Sequence, residues 1–105
     1  LSGGNIQKLI LGREISEQPQ LLVASHPTYG LDVGATQFLR EHLLALRKQG
    51  SSVLLFSEDL EEIFELCDRV AVIFAGEFMG ILNSDDERLS DIGLMMAGSL
   101  KLTAA

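Results

Sequence analysis

Three short apolar runs, at residues 21–24, 53–56 and 70–74, alternate along this chain with segments whose apolar residues recur at helical spacing. Continuous apolar runs of this length, bounded by turn residues, have the pattern of strands buried on both faces. The helical segments between them supply the long crossover that parallel neighbours require. Helix, strand, helix, strand, helix, strand therefore predicts an α/β fold: a parallel sheet flanked by helices. A fourth run, at residues 78–82, follows the third after only Ala75-Gly76-Glu77. That link is too short for a crossover, so the fourth strand closes as an antiparallel hairpin on the edge.

The helix limits follow from capping chemistry. Ser2-Gly3-Gly4-Asn5 opens a first segment carrying Ile6, Leu9, Ile10 and Arg13, with Pro19 as its stop. Asp32 is placed to cap a second helix, whose Ala35, Phe38, Leu39, Leu43 and Leu46 form one apolar stripe ending near Gly50. Asp59 and Glu62 have capping-box spacing before Leu60, Ile63, Phe64 and Cys67. Ser84 and Glu87 have the same spacing before Leu89, Ile92 and Met96.

Composition narrows the partners. Fifteen acidic residues against eight basic ones give a formal net charge of −7. That balance lacks the basic patch of a nucleic-acid surface and the polybasic cluster that holds anionic lipid. A single cysteine, Cys67, rules out an internal disulfide and is expected as a buried structural thiol. No apolar run approaches the roughly 18 residues of a membrane-spanning helix. His26 and His42 have no cysteine pair beside them and make no metal set; His42 is expected at the edge of a core. Asp85-Asp86-Glu87 suits a solvated helix start. The chain opens on Leu1 inside a motif, and is expected to be a piece of a longer polypeptide.

The motif is Leu1-Ser2-Gly3-Gly4-Asn5-Ile6-Gln7. A serine and two glycines at a helix start leave backbone N–H groups bare and let a phosphate come close to the positive helix end. An ordinary Ser-capped helix after a glycine turn has the same residues. The longer string resembles the signature of the ATP-binding-cassette ATPases, and further motifs of that family follow in order. Leu21 to Thr28 resembles the Walker B strand and its Pro-Thr, Gly30-Leu31-Asp32 the D-loop, and Leu54 to Asp59 the switch strand. Residues 66–72 resemble the next strand, and Gly76-Glu77 the hairpin turn. Asn5 and the run Gly30-Leu31-Asp32-Val33-Gly34-Ala35 are most similar to the sugar and nucleoside importer branch. The resemblance covers residues 1–98, the C-terminal part of a cassette from signature to switch, with 99–105 as a tail. It implies a P-loop NTPase-like sheet that lacks its Walker A strand.

Three positions depart from the family's pattern. Ser25 and His26 stand where the Walker B carboxylates are expected before Pro-Thr, and Glu58 stands where the switch histidine is expected. A neutral serine supplies no charge to Mg²⁺, which prefers carboxylate oxygen. A histidine can act as a base, but a carboxylate at position 58 repels a triphosphate unless protonated or bridged by metal. The resemblance thus implies two unlike roles. Ser2, Gly3, Gly4 and Gln7, with the D-loop at Leu31 and Asp32, would complete the ATP site of a second cassette. Ser25, His26 and Glu58 belong to this cassette's own site, which reads as a degenerate second cassette.

The parent protein would then be an ATPase using ATP and Mg²⁺, peripheral on the cytoplasmic face of the membrane and coupled to transmembrane permease subunits. A noncatalytic regulatory domain of cassette ancestry and an unrelated receiver-like α/β module remain as alternatives; the latter wants acidic residues where Ser25-His26 lie. With a central strand missing, exposed strand edges are expected to make the isolated chain self-associate. The isolated chain should also bind Mg-ATP no tighter than millimolar, because one helix end is not a convergent site. Submillimolar affinity by titration calorimetry would refute this.

Overall fold

The computed structural model describes Arg13, Glu17 and residues 19–102. It divides into two compact units, at Leu66 and Cys67. Among the described residues there are two two-stranded sheets, one in each unit.

The first unit runs β1 (Leu21–Ser25), α1 (Val33–Lys48), β2 (Ser52–Phe56) and α2 (Leu60–Leu66). β1 and β2 pair in parallel, with Leu21 opposite Ser52 and Ser25 opposite Phe56. Asp32 starts α1 as expected, its carboxylate accepting the Ala35 N–H at 2.7 Å. The far end closes in a Schellman motif: Gly50 at φ +101° donates to the Arg47 carbonyl and Ser51 to the Leu46 carbonyl. Ser51 Oγ then donates to the Pro19 carbonyl at 2.6 Å, and Ser52 N to Gln20 O at 2.9 Å. One short link therefore ends the helix and sets the strand register. Arg47 donates to the Leu66 carbonyl at 3.0 Å, satisfying an end group of α2.

The core of this unit is Leu22 and Ala24 with Ala35, Leu39, Leu43 and Leu46 of α1. Burial on both strand faces does not hold. Leu21 and Val23 alternate with the buried pair at 58% and 57% exposure, and Leu54 and Phe56 are similarly open. The physical reason is that the covering helix packs on one side of a pleated pair, so odd and even positions part company. Phe38 is likewise exposed, outside the stripe, with the His42 ring 4.1 Å from its own and His42 Nδ1 2.7 Å from the Phe38 carbonyl. His42 is half-buried, in line with a core-edge residue.

The second unit runs β3 (Arg69–Phe74), β4 (Glu77–Asn83), a 3-10 turn (Glu87–Asp91) and α3 (Ile92–Met96). The hairpin is antiparallel as expected. Its two-residue link, Ala75 and Gly76, has φ of +50° and +80°, the backbone of a type I′ turn that matches strand twist. The register slips between Val72 and Ile73, leaving Met79 as the extra residue of a bulge. Leu102 N donates to the Met79 carbonyl at 2.7 Å, so part of the stretch set apart as a tail lies along β4.

Val70, Val72, Met79 and Leu82 bury against Ile92 and Met95. The Ser84–Glu87 capping box does not form. Asp86 caps the 3-10 turn instead, accepting from Arg88 N at 2.8 Å, because the chain stays in β4 to Asn83 and turns two residues later than expected. The Arg88 side-chain hydrogen bond holds the Asp86 carboxyl below the usual carboxylate range. Cys67 is half-buried, short of the full burial expected for it. No helix among the described residues is long and apolar enough to cross a membrane.

Gly80 is needed for its size. A Cβ there would come within 2.7 Å of Met95 Sδ and 3.0 Å of a Leu102 methyl carbon. Overpacking of this kind costs about 1–3 kcal/mol. Gly80→Val should therefore lower the urea midpoint of this unit with an unchanged slope.

Candidate functional site

Strands that run parallel and in register end on the same side, and so do the loops that follow them. Here the link after β1 (residues 26–32) and the link after β2 (residues 57–59) lie side by side. His26 N donates to the Phe56 carbonyl at 2.7 Å, carrying the ladder one residue beyond the strands. Crevices at the carboxyl ends of parallel strands are where ligands bind in open α/β sheets. An open pocket is lined there by His26, Thr28 and Tyr29 from one loop and Ser57, Glu58, Asp59 and Glu62 from the other.

The sequence-predicted residues fall into three sets. Ser25, His26 and Glu58 come together at this strand end, the first two as neighbours with Ser25 Oγ 3.1 Å from His26 Nδ1. His26 takes a φ of +48°, a left-handed conformation uncommon for a side chain of this size. Leu31 and Asp32 lie further along the same loop, where it enters α1. Two successive turns lead to them: Tyr29 N donates to His26 O and Leu31 N to Thr28 O, each at 3.1 Å, with Gly30 at φ +75°. A positive φ at the third position is what a type II turn requires, and glycine meets it without strain. Ser2, Gly3, Gly4 and Gln7 lie outside the described residues.

Beneath the pocket is a group that single-sequence reading missed. Glu62 is 1% exposed, yet both of its carboxylate oxygens are engaged. Thr28 Oγ1 donates to Oε1 at 2.5 Å and Ser57 Oγ donates to Oε2 at 2.8 Å. The compensating charge is Arg40 of α1, whose Nε lies 3.6 Å from Glu62 Oε1, in ion-pair range but beyond hydrogen-bond distance. The same guanidinium reaches Asp59 at 3.5 Å and Glu65 at 2.9 Å. A buried carboxylate needs such partners, since an unpaired buried charge is very costly. Glu62 had been matched with Asp59 as a capping box. Asp59 does cap α2, accepting from Glu61 N at 3.0 Å and Glu62 N at 3.3 Å. The Glu62 side chain does not reach back; it turns inward to the two hydroxyls. Its weak sequence signal is a glutamate with Arg40 beside Leu39 on an otherwise apolar stripe.

The strand end offers few side chains for a cation without help from a bound phosphate. Among the described residues, no group of three or more histidine, cysteine, aspartate or glutamate side chains is arranged to hold a metal. Ser25 offers only a neutral oxygen, and the Glu62 oxygens are already taken.

Solved structures share this fold. Residues covering 92% of the chain superpose on the ADP conformation of MJ1267, an ATP-binding cassette of an ABC transporter, with a TM-score of 0.70 and 23% identity, spanning 37% of that chain. A nucleotide-free ATP-binding cassette from an ABC transporter matches with a TM-score of 0.73 and 24% identity, covering 88% of this chain and 36% of that one. At these identities the likeness concerns the fold, which is that of a cassette ATPase fragment. Sequence takes the assignment further. The chain is 50% identical over 104 residues to the guanosine import ATP-binding protein NupO of Bacillus subtilis, and 51% identical over 104 residues to the glucose import ATP-binding protein TsgD13 of Haloferax volcanii. A nucleoside import ATP-binding protein, NupA of Lactococcus lactis, is 44% identical over 98 residues, 93% of this chain and 19% of that protein. Over nearly its whole length the chain is thus similar in sequence to ATP-binding proteins of sugar and nucleoside import systems, and in fold to ATP-binding cassettes. The first two matches cover 99% of the chain, which spans about a fifth of the length of either relative. No protein-family profile matches the chain.

Removing one member of the buried pair should be severe. Glu62→Ala leaves Arg40 short of its innermost partner and should cost about 3–5 kcal/mol in equilibrium denaturation. Glu62→Gln, which keeps an acceptor and the shape, should cost less than half of that.

Proposed function

We propose that this chain is the signature-to-switch part of the ATP-binding subunit of a sugar or nucleoside importer, completing a partner cassette's ATP site while its own site does not hydrolyse. The observation that carries this reading is the strand-end cluster of Ser25, His26 and Glu58. The position expected to hold Mg²⁺ has a hydroxyl, the position expected to orient water has an imidazole, and the position expected to contact the γ-phosphate has a carboxylate. Each change weakens phosphoryl transfer, which depends on placed positive charge and a positioned water.

Ser2, Gly3, Gly4 and Gln7 would meet ATP held by a second cassette, because backbone N–H groups at a helix start favour phosphate. Leu31 and Asp32 would lie against that same site. ATP with Mg²⁺ would be hydrolysed there, and closure of the two cassettes would drive transmembrane permease subunits from the cytoplasmic face of the membrane. The names of the relatives support sugar or nucleoside as the class of solute. Taken alone, the chain would self-associate through its open strand edges.

Opposite sensitivities test the assignment in the full-length transporter. Gly4→Asp, or Ser2→Glu, should abolish steady-state ATPase activity by placing negative charge where the partner's γ-phosphate must sit. His26→Ala should leave turnover within about threefold, roughly 0.7 kcal/mol of barrier. A hundredfold loss in folded His26→Ala protein would make His26 a working catalytic residue and overturn the degenerate-site assignment.

A further inference from the structure

Glu62 stands behind the pocket, and its partners come from the two loops that form it. One arm ends on Thr28, two residues beyond His26; the other ends on Ser57, one residue before Glu58. The arms differ in what they hold. Ser57 is also fixed locally, since its Oγ accepts the Asp59 N–H at 3.1 Å. Thr28 has a longer reach, because its carbonyl accepts the Leu31 N–H and so anchors the turn that delivers Leu31 and Asp32. Asp32 in turn begins α1, and α1 carries the Arg40 that neutralises Glu62. The circuit closes: carboxylate, threonine, turn, helix cap, guanidinium, carboxylate.

Within this circuit the most open part is the Tyr29–Asp32 segment, in which Leu31 is half-buried and the other three residues are exposed. Tyr29 is 83% exposed and Gly30 sits at φ +75° with open space around it, so neither packs the turn in place. The segment is held at Thr28 on one side and at the Asp32 cap on the other. A hydroxyl-to-carboxylate hydrogen bond at 2.5 Å is of the short, charge-assisted kind, roughly twice as strong as a neutral one.

We infer that Glu62 is a positioning residue: acting through Thr28, it sets the place of the Leu31-Asp32 segment and thereby the turnover of the ATP site that this segment adjoins. The part concerning turnover rests on the partner-site reading above. Both Glu62 oxygens are engaged by hydroxyls, and its effect on this segment passes through the Thr28 hydroxyl, which can be removed separately from the Ser57 arm.

The test uses the full-length transporter carrying Thr28→Val, with Thr28→Ser as the conservative control and Mg-ATP as substrate. In Thr28→Val, hydrogen exchange at the Leu31 amide should rise at least tenfold while amides inside β1 and α1 stay within twofold. The kcat for Mg-ATP should fall at least fivefold with KM within twofold, a split expected when binding is kept and the transition state is lost. Thr28→Ser should restore both measurements to within twofold of the parent. Unchanged exchange at Leu31, or a rise spread evenly through β1 and α1, overturns the positioning role. Faster exchange with unchanged kcat overturns the link to turnover. Full ATPase activity in Gly4→Asp would instead sink the partner-site reading, and the exchange measurement would still judge Glu62 by itself.

Discussion

Parallel pairing of β1 with β2 is the constraint from which the rest of the first unit follows. Two strands that run the same way cannot be joined by a tight turn, so α1 must cross between them, and its stripe of Ala35, Leu39, Leu43 and Leu46 exists to cover the pair. The same pairing obliges both strands to end together. Two loops that are about thirty residues apart in sequence thus share one rim, where His26 and Glu58 meet with Ser25 beside His26.

A shared rim of loops has to be held, and here a buried charge holds it. An apolar contact between Thr28, Ser57 and α2 would have been easier to bury, but it would not have specified direction. A carboxylate with two oxygens accepts from two hydroxyls at defined angles, and Arg40 offsets the cost of its charge. Three acidic side chains, Asp59, Glu62 and Glu65, converge on that one guanidinium, so α1 and α2 are joined by a hub instead of by isolated surface pairs.

Local features were legible in the sequence because their causes are local. The Asp32 cap, the Gly50 stop and the Ala75-Gly76 link depend on residues within a few positions, and each formed where its chemistry pointed. Ser84 and Glu87 show how such a reading fails: two residues with the right spacing lost to Asp86, because β4 ran on through Asn83. Exposure was misread for a different reason. Leu21, Val23, Leu54 and Phe56 belong to runs that are apolar on both sides, but only one side meets a helix among the described residues. At the candidate site, motif order singled out Ser25, His26 and Glu58 without geometry. Glu62 could not be found that way, since its partners Thr28 and Arg40 are 34 and 22 positions away and only the folded chain brings them near.

The link that ends α1 acts as a ruler. Gly50 and Ser51 terminate the helix, and Ser51 and Ser52 bind Pro19 and Gln20 at the foot of β1, so nothing between helix and strand is left to take up slack. Each residue of a strand advances about 3.3 Å and turns its side chain to the other face. One residue added there would carry Ser57 and Glu58 past His26 by that distance and turn β2 inside out. The chemistry at the top of the strands is therefore gauged at their bottom, by a serine that never comes near it.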